Sequence, residues 1–234
     1  RYVWRGDRME FLNLRRLGSL YLDEGYYREG LDALKQAATF FREYPEAPEV
    51  TKQMSDAFNR LFLGEDTESV DPVKAIAIYS EFKELTPAGA RGDEMIRRLA
   101  DKLVQVDLLE RAAGLLRAQV QFRLKGEEKA RVGSRLALIY VFAREFKQAL
   151  EALDGSDAPG LSPELTVQRR HLRTRILMGL GRNADALAMI EKDESEQAEL
   201  LRTEIFWTGG DWLQASQSLR LLVKLSGAKA DEPV

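Results

Sequence analysis

Alanine returns along this chain on a fixed beat: Ala75, Ala112, Ala149 and Ala186 stand 37 residues apart. A second small residue precedes the landmark by twelve positions in three places, as Gly18 before Gly30, Ala100 before Ala112 and Ala137 before Ala149. Two small residues per period are what two closely crossing helices need, because a small side chain lets the axes approach while larger neighbours fill the gaps. A period of about 20 to 50 residues marks an array in which no unit buries its apolar face alone and stacked neighbours make the core. The chain therefore reads as all-α, a right-handed superhelical solenoid of about six antiparallel helix pairs. Stacked helix pairs build a binding surface, and that bounds the class of function.

Length agrees, since six units would use nearly all of the 234 residues. At 44% apolar and 31% charged the composition is that of a folded domain. The expected units are 7–45, 50–85, 91–125, 127–154, 162–192 and 195–225, one repeat domain over 1–226 with a flexible tail at 227–234. A formal charge of −3 lacks the basic excess of a dedicated nucleic-acid binder. The absence of cysteine removes disulfides, thiolate chemistry and cysteine metal sites together. No run approaches 18 apolar residues, so no membrane insertion is expected, and no signal peptide is visible. A start at Arg1 rather than Met is expected of a processed or excised piece.

Helix punctuation supports the units. Asp7 is placed to cap a helix through Phe11, Leu14, Leu17 and Tyr21 that Gly25 ends, and a second helix from Leu31 to Phe41 is stopped by Pro45. Asp71-Pro72 restarts a helix with proline in its first turn. In the fourth unit Val132 to Tyr140 and Phe146 to Leu153 flank a short turn at Arg144-Glu145. Two intervals break time: Gly30 to Ala75 is 45 residues, with the surplus assigned to loops near 44–49 and 64–70, and Ala186 to Ala215 is only 29. If 212–225 caps the array, its outer face should be polar, as Gln217, Arg220 and Lys224 are. Trp212, after the turn Gly209-Gly210-Asp211, is expected in the core.

These units resemble tetratricopeptide repeats. The likeness is carried by Leu17-Gly18 with Tyr21, Gly25-Tyr26-Tyr27, Gly30, Leu34, Ala37 and Pro45 in the first unit, and by Leu136-Ala137 with Tyr140, Phe146, Ala149 and Leu153 in the fourth. The third matches at Leu99, Ala100, Leu103, Ala112 and Leu116; the last two keep Gly181 with Ala186, and Gly210-Asp211-Trp212 with Ala215. Thr174 and Thr203 stand where the family prefers Gly or Ala, and the period is 37 rather than about 34. The resemblance implies a non-catalytic protein-protein interaction scaffold whose first helices line a groove for a partner segment.

In that register the groove candidates are Arg15 and Ser19, Arg97 and Asp101, Arg131 and Ser134, His171 and Arg175, and Leu200 and Glu204, with Trp207, Val141 and Phe142 on or near the same wall. Guanidinium groups suit bidentate capture of carboxylates, so an acidic segment or a peptide C-terminus is the natural partner. The alternative is that these arginines, drawn from 24 Arg against 11 Lys, pair with nearby acids such as Asp23 and Asp101. Tyr2, Val3 and Trp4 either staple the first helix or belong to a preceding unit.

Catalysis finds little to work with. His171 has no second histidine and no cysteine with which to build an N/S metal site, so no metal and no cofactor are expected. Asp23-Glu24 and Glu127-Glu128 fall at helix ends, where acids after Gly126 favour the macrodipole. No glycine lies in a phosphate-loop pattern. A competing reading from a different class is a self-assembling structural module that homo-oligomerises through its ends or convex face.

Overall fold

The computed structural model describes residues 7–64 and 70–226 of the chain. Among these residues there are twelve α-helices, one 3₁₀ turn at Lys83–Leu85 and no strand. The helices are α1 Arg8–Asp23, α2 Tyr27–Phe40, α3 Ala47–Leu63, α4 Pro72–Glu81, α5 Ala90–Gln105 and α6 Leu109–Phe122, followed by α7 Gly126–Phe142, α8 Phe146–Gly155, α9 Pro163–Gly179, α10 Asn183–Met189, α11 Glu196–Gly209 and α12 Trp212–Ser226. The all-α expectation stands. Tyr2 to Trp4, most of the 64–70 loop and the 227–234 tail lie outside the described residues.

The beat seen in the alanines is a beat in backbone conformation. The turn between the two helices of a hairpin reverses at a residue with positive φ: Gly25 at 81°, Asp107 at 60°, Arg144 at 59°, Gly181 at 73° and Gly210 at 78°. In four of these turns the next N–H reaches back five residues to a helix carbonyl, Tyr26 to Tyr21 and Glu145 to Tyr140 at 2.8 Å, Arg182 to Leu177 and Asp211 to Phe206 at 2.9 Å. That closure satisfies carbonyls the ended helix leaves open. The landmark then closes the first turn of the second helix, its N–H bonded to the cap carbonyl: Gly30 to Tyr26, Ala75 to Asp71, Ala112 to Leu108, Ala149 to Glu145, Ala186 to Arg182 and Ala215 to Asp211. Ala112, Ala149 and Ala186 are wholly buried there.

Caps read from sequence are in place. Asp7 accepts from the Glu10 N–H at 2.9 Å, and Asp71 accepts from Val73 and Lys74 ahead of Pro72. Thr174 and Thr203 fit the crowded position because each hydroxyl folds back on its own helix, to Arg170 O at 3.0 Å and Glu199 O at 2.9 Å.

The two irregular intervals have different causes. Helices α2 and α6 are both 14 residues long, and α3 and α7 both 17. The surplus before Ala75 therefore lies in the connections, 41–46 against 123–125 and 64–71 against 143–145. The short interval before Ala215 comes from the helices themselves, since α10 has only 7 residues and α11 only 14.

The chain divides into two compact units, Arg1–Asp107 and Leu108–Val234, a division that falls between α5 and α6. In the first unit α1 packs on α2, α2 on α3, and α5 against both α3 and α4. Phe11 meets Phe41 at 5.7 Å and Tyr44 at 5.3 Å between ring centroids, tying the 41–46 connection to α1. In the second unit neighbours pack in chain order from α6 to α12, and α9 lies additionally against α7 and α11. One core cluster there joins Leu177, Ala186, Ile190, Ala198, Leu201 and Ile205.

Two expectations fail at the C-terminal end. Leu213, Leu219, Leu221 and Val223 are exposed beside Arg220 and Lys224, so α12 does not present the polar outer face of a cap. Trp212 is 61% exposed rather than in the core. Its counterpart three residues before Ala149, Phe146, is covered by α9, so closely that a Cβ on Gly179 would lie 2.3 Å from its ring. No described helix follows α12 to cover Trp212 in the same way.

Candidate functional site

Helices α7, α9 and α11 lie side by side, each with its small crossing residue, Ala137, Thr174 and Thr203, turned inward and buried. Residues three before, one after and four after that position share one helix face. On α7 they are Ser134, Leu138 and Val141; on α9, His171, Arg175 and Met178; on α11, Leu200, Glu204 and Trp207. Three register-equivalent rows thus run across three adjacent helices.

In the first row Ser134 and His171 belong to the protein's own polar network, while Leu200 is exposed. Ser134 donates to Ala130 O at 2.8 Å and accepts from Arg169 at 3.0 Å. Arg169 is only 6% exposed and also donates to Ala130 O at 2.8 Å, Leu153 O at 2.7 Å and Ser156 Oγ at 3.3 Å, with Asp157 at 3.5 Å. One guanidinium thereby joins α7, the end of α8 and α9. Burial lowers its pKa from the usual arginine value, opposed by the Asp157 charge.

His171 faces inward in the same way. Its Nε2 lies 2.8 Å from Asp193 Oδ2, which also accepts from Arg170 at 2.6 Å, while Asp193 Oδ1 accepts from the Ser195 N–H at 3.0 Å. Burial works to raise the Asp193 pKa, but the hydrogen bonds from Ser195, His171 and Arg170 outweigh it and hold the carboxyl well below the usual carboxylate range. Arg202 completes this end: it pairs with Glu199 at 2.7 Å and donates to the carbonyls of Ile190 and, at 2.7 Å, Asp193. The short α10 is thus finished by an arginine from α11.

The second and third rows are more open. Glu204 and Trp207 are exposed, Trp207 by 57%, with its ring edge-on to Trp212 at 5.1 Å. Leu138, Val141, Arg175 and Met178 are half-buried, and Arg175 has no ion-pair partner among the described residues.

The other wall candidates lie apart. In the first unit Ser19 donates to Arg15 O at 3.0 Å and accepts from Gln53 of α3 at 2.6 Å, and Arg15 is half-buried without an ion pair among the described residues. Arg97 pairs with Glu94 of its own helix at 3.0 Å, and Asp101 is half-buried on α5. Arg131, in the second unit, pairs with Glu127 at 2.9 Å and Glu128 at 3.4 Å. These glutamates lie one helical turn from Arg97 and Arg131.

The chain matches no protein-family profile and no curated protein. Among the described residues no three His, Asp or Glu side chains converge as metal ligands, and no helix is long and apolar enough to cross a membrane.

The sequence did not single out Arg169, Asp193 or Arg202. Arg169 to Arg175 holds four arginines, and nothing in the pattern separates the one turned inward from the one left without an ion pair. A weak signal was available: Ser134 lies 35 residues before Arg169 and Ser156 13 before it, small polar residues beside an otherwise apolar crossing.

Proposed function

We propose that the chain is a tetratricopeptide-like scaffold that carries out no catalysis and holds an extended segment of a partner protein across α7, α9 and α11. The observation that carries this reading is the pairing, on adjacent helices, of an exposed aromatic anchor with a guanidinium that has no ion pair: Trp207 and Arg175. Tryptophan and arginine are enriched at interface hot spots, tryptophan for a large rigid contact and arginine for bidentate recognition of carboxylate. Glu204 sits beside them and sets the polarity. A segment with acidic residues toward α9 and an apolar side chain toward Trp207 fits; one with the reverse order meets Glu204 with its own carboxylate. Arg15, Arg97 and Arg131 add arginine elsewhere on the first helices, though the last two give up local ion pairs to use it.

Selection from a displayed peptide library tests this. Sequences combining Asp or Glu with an apolar residue should enrich on the wild-type chain, and Arg175→Glu or Trp207→Ala should each weaken a selected peptide about tenfold, the scale of a modest hot spot. Unchanged helicity in both variants shows that contact rather than folding was lost. Equal affinity for wild type and both variants would contradict the assignment.

A further inference from the structure

One step of the array leaves a groove open where the next step fills it. Helix α7 packs against both α6 and α8. Between those two helices lies an open groove of about 410 Å³, floored by Leu136 and Tyr140 of α7. Its walls are polar: Arg117 and Gln121 stand one turn apart on α6, and Gln148 and Glu151 one turn apart on α8.

The equivalent positions of the next step, 37 residues on, are closed. The counterpart of Arg117 is Asp154 and that of Leu136 is Arg173, and these two pair with each other. The counterpart of Ala152 is the half-buried Met189, and that of Gly155 is Lys192. Ala152 and Gly155 both line the open groove. A Cβ on Gly155 would meet no atom within 4 Å, and its φ is not positive, so neither packing nor backbone conformation calls for glycine there.

Polar groups along the groove keep unused capacity. Arg117 donates through Nε, at 3.0 Å, and through Nη2 to the Tyr140 hydroxyl, and it has no carboxylate partner among the described residues. Its Nη1 therefore stays without an acceptor there. The Tyr140 side chain is 5% exposed, yet its hydroxyl accepts only and donates to none of the described residues. A phenol in that position has a donor left for an incoming anion. On the other wall Glu151 has no ion pair among the described residues, neither with Arg117 nor with Lys147 one turn before it. Asp154, the next acid on α8, is engaged by Arg173. One cation and one anion thus line a single small groove without meeting.

We propose that this groove binds a small zwitterion of amino-acid or dipeptide size, its carboxylate taken by Arg117 and Tyr140 and its ammonium by Glu151 and Gln148. A guanidinium beside a phenol suits a carboxylate, and the volume is that of a small-ligand site. Glu151 repels a simple anion and Arg117 a simple cation, so both charges have to arrive on one molecule. None of these residues belongs to the rows on α7, α9 and α11, and the proposal stands or falls separately from segment binding.

Saturation-transfer NMR with the full 234-residue chain tests it. The probes are L-leucine, L-phenylalanine and L-glutamine, and the dipeptides alanyl-leucine and alanyl-phenylalanine; which group responds decides between the two sources of the zwitterion. At least one should bind with a dissociation constant of about 1 mM or tighter. Its N-acetylated and its amidated forms should each bind at least about tenfold more weakly, since each removes one charged hydrogen-bonding group. Glu151→Gln and Arg117→Met should each weaken binding about tenfold. Gly155→Leu should abolish it by filling the groove, and this variant and Glu151→Gln should keep wild-type helicity and melting temperature. Three results overturn the proposal: no probe bound at up to about 10 mM, capped forms that bind as well as the zwitterion, or folded Glu151→Gln and Gly155→Leu variants that keep wild-type affinity.

Discussion

Where α1 crosses α2, two glycines let the backbones nearly touch. A Cβ added at Gly18 would stand 2.6 Å from Leu34 Cγ and 3.0 Å from the Gly30 carbonyl, and one at Gly30 would stand 2.7 Å from Leu22 Cγ. Gly18→Ala should therefore destabilise by about 2 kcal/mol in urea titration despite the better helix propensity of alanine, because overpacking outweighs propensity. An equal or higher stability would place the crossing elsewhere. Ala149→Leu should cost a comparable 1 to 3 kcal/mol, roughly, at the wholly buried α8 landmark. The opposite sign is expected at Arg144, a non-glycine residue held at φ 59°. Arg144→Gly relieves left-handed strain of about 1–2 kcal/mol and gives back part of that as unfolded-state entropy, leaving a gain of about 0.5 kcal/mol. A lowered melting temperature would refute it. Small residues at the crossings were legible in the sequence because nothing larger fits. The left-handed turns at Asp107 and Arg144 were not, because without glycine the chain gives no local sign of them.

At the scale of the element, α9 is held by buried charge as well as by its apolar residues Leu165, Ile176 and Leu177. Arg169→Met keeps the bulk of the side chain but leaves the Ala130 and Leu153 carbonyls without this donor, and should cost about 3 kcal/mol by chemical denaturation. A neutral outcome would mean that the guanidinium's burial cost cancels its hydrogen bonds. Asp193 adds a pH dependence whose sign follows from its depressed pKa: its contribution is fully present above the unfolded-state value of about 3.9 and is lost as pH falls through the folded one. Asp193→Asn should be less stable than wild type by about 2 kcal/mol at neutral pH, with the gap narrowing toward pH of about 3.5. A gap independent of pH would show that the charge is not what matters. Helix caps such as Asp7 and Asp71, and the short interval before Ala215, were readable because capping and period leave marks in sequence. The clamp that compensates for a 7-residue α10 was not, since Arg202 and Asp193 reach partners that periodicity does not relate.

Across the whole molecule, repetition makes each position comparable with its counterparts, and the informative residues are those that differ. Leu17, Leu20, Trp212 and Leu219 differ by exposure, and Arg175, like Arg15, lacks an ion pair among the described residues. All-α architecture was legible from the period alone; the candidate arginines were legible only as a set of residues. Which arginines were already engaged depended on glutamates three or four residues away and on loops folding back to the first helices. In the proposed binding mode an acidic partner segment lies across α7, α9 and α11. A selected peptide carrying a photo-crosslinking side chain tests it most directly, with the adducts located by mass spectrometry. Adducts are expected on Leu138 to Phe142, Arg175 to Met178 and Glu204 to Trp207, all lost in the Arg175→Glu variant; adducts confined to the second helices, or unaffected by that substitution, would contradict the proposed binding mode.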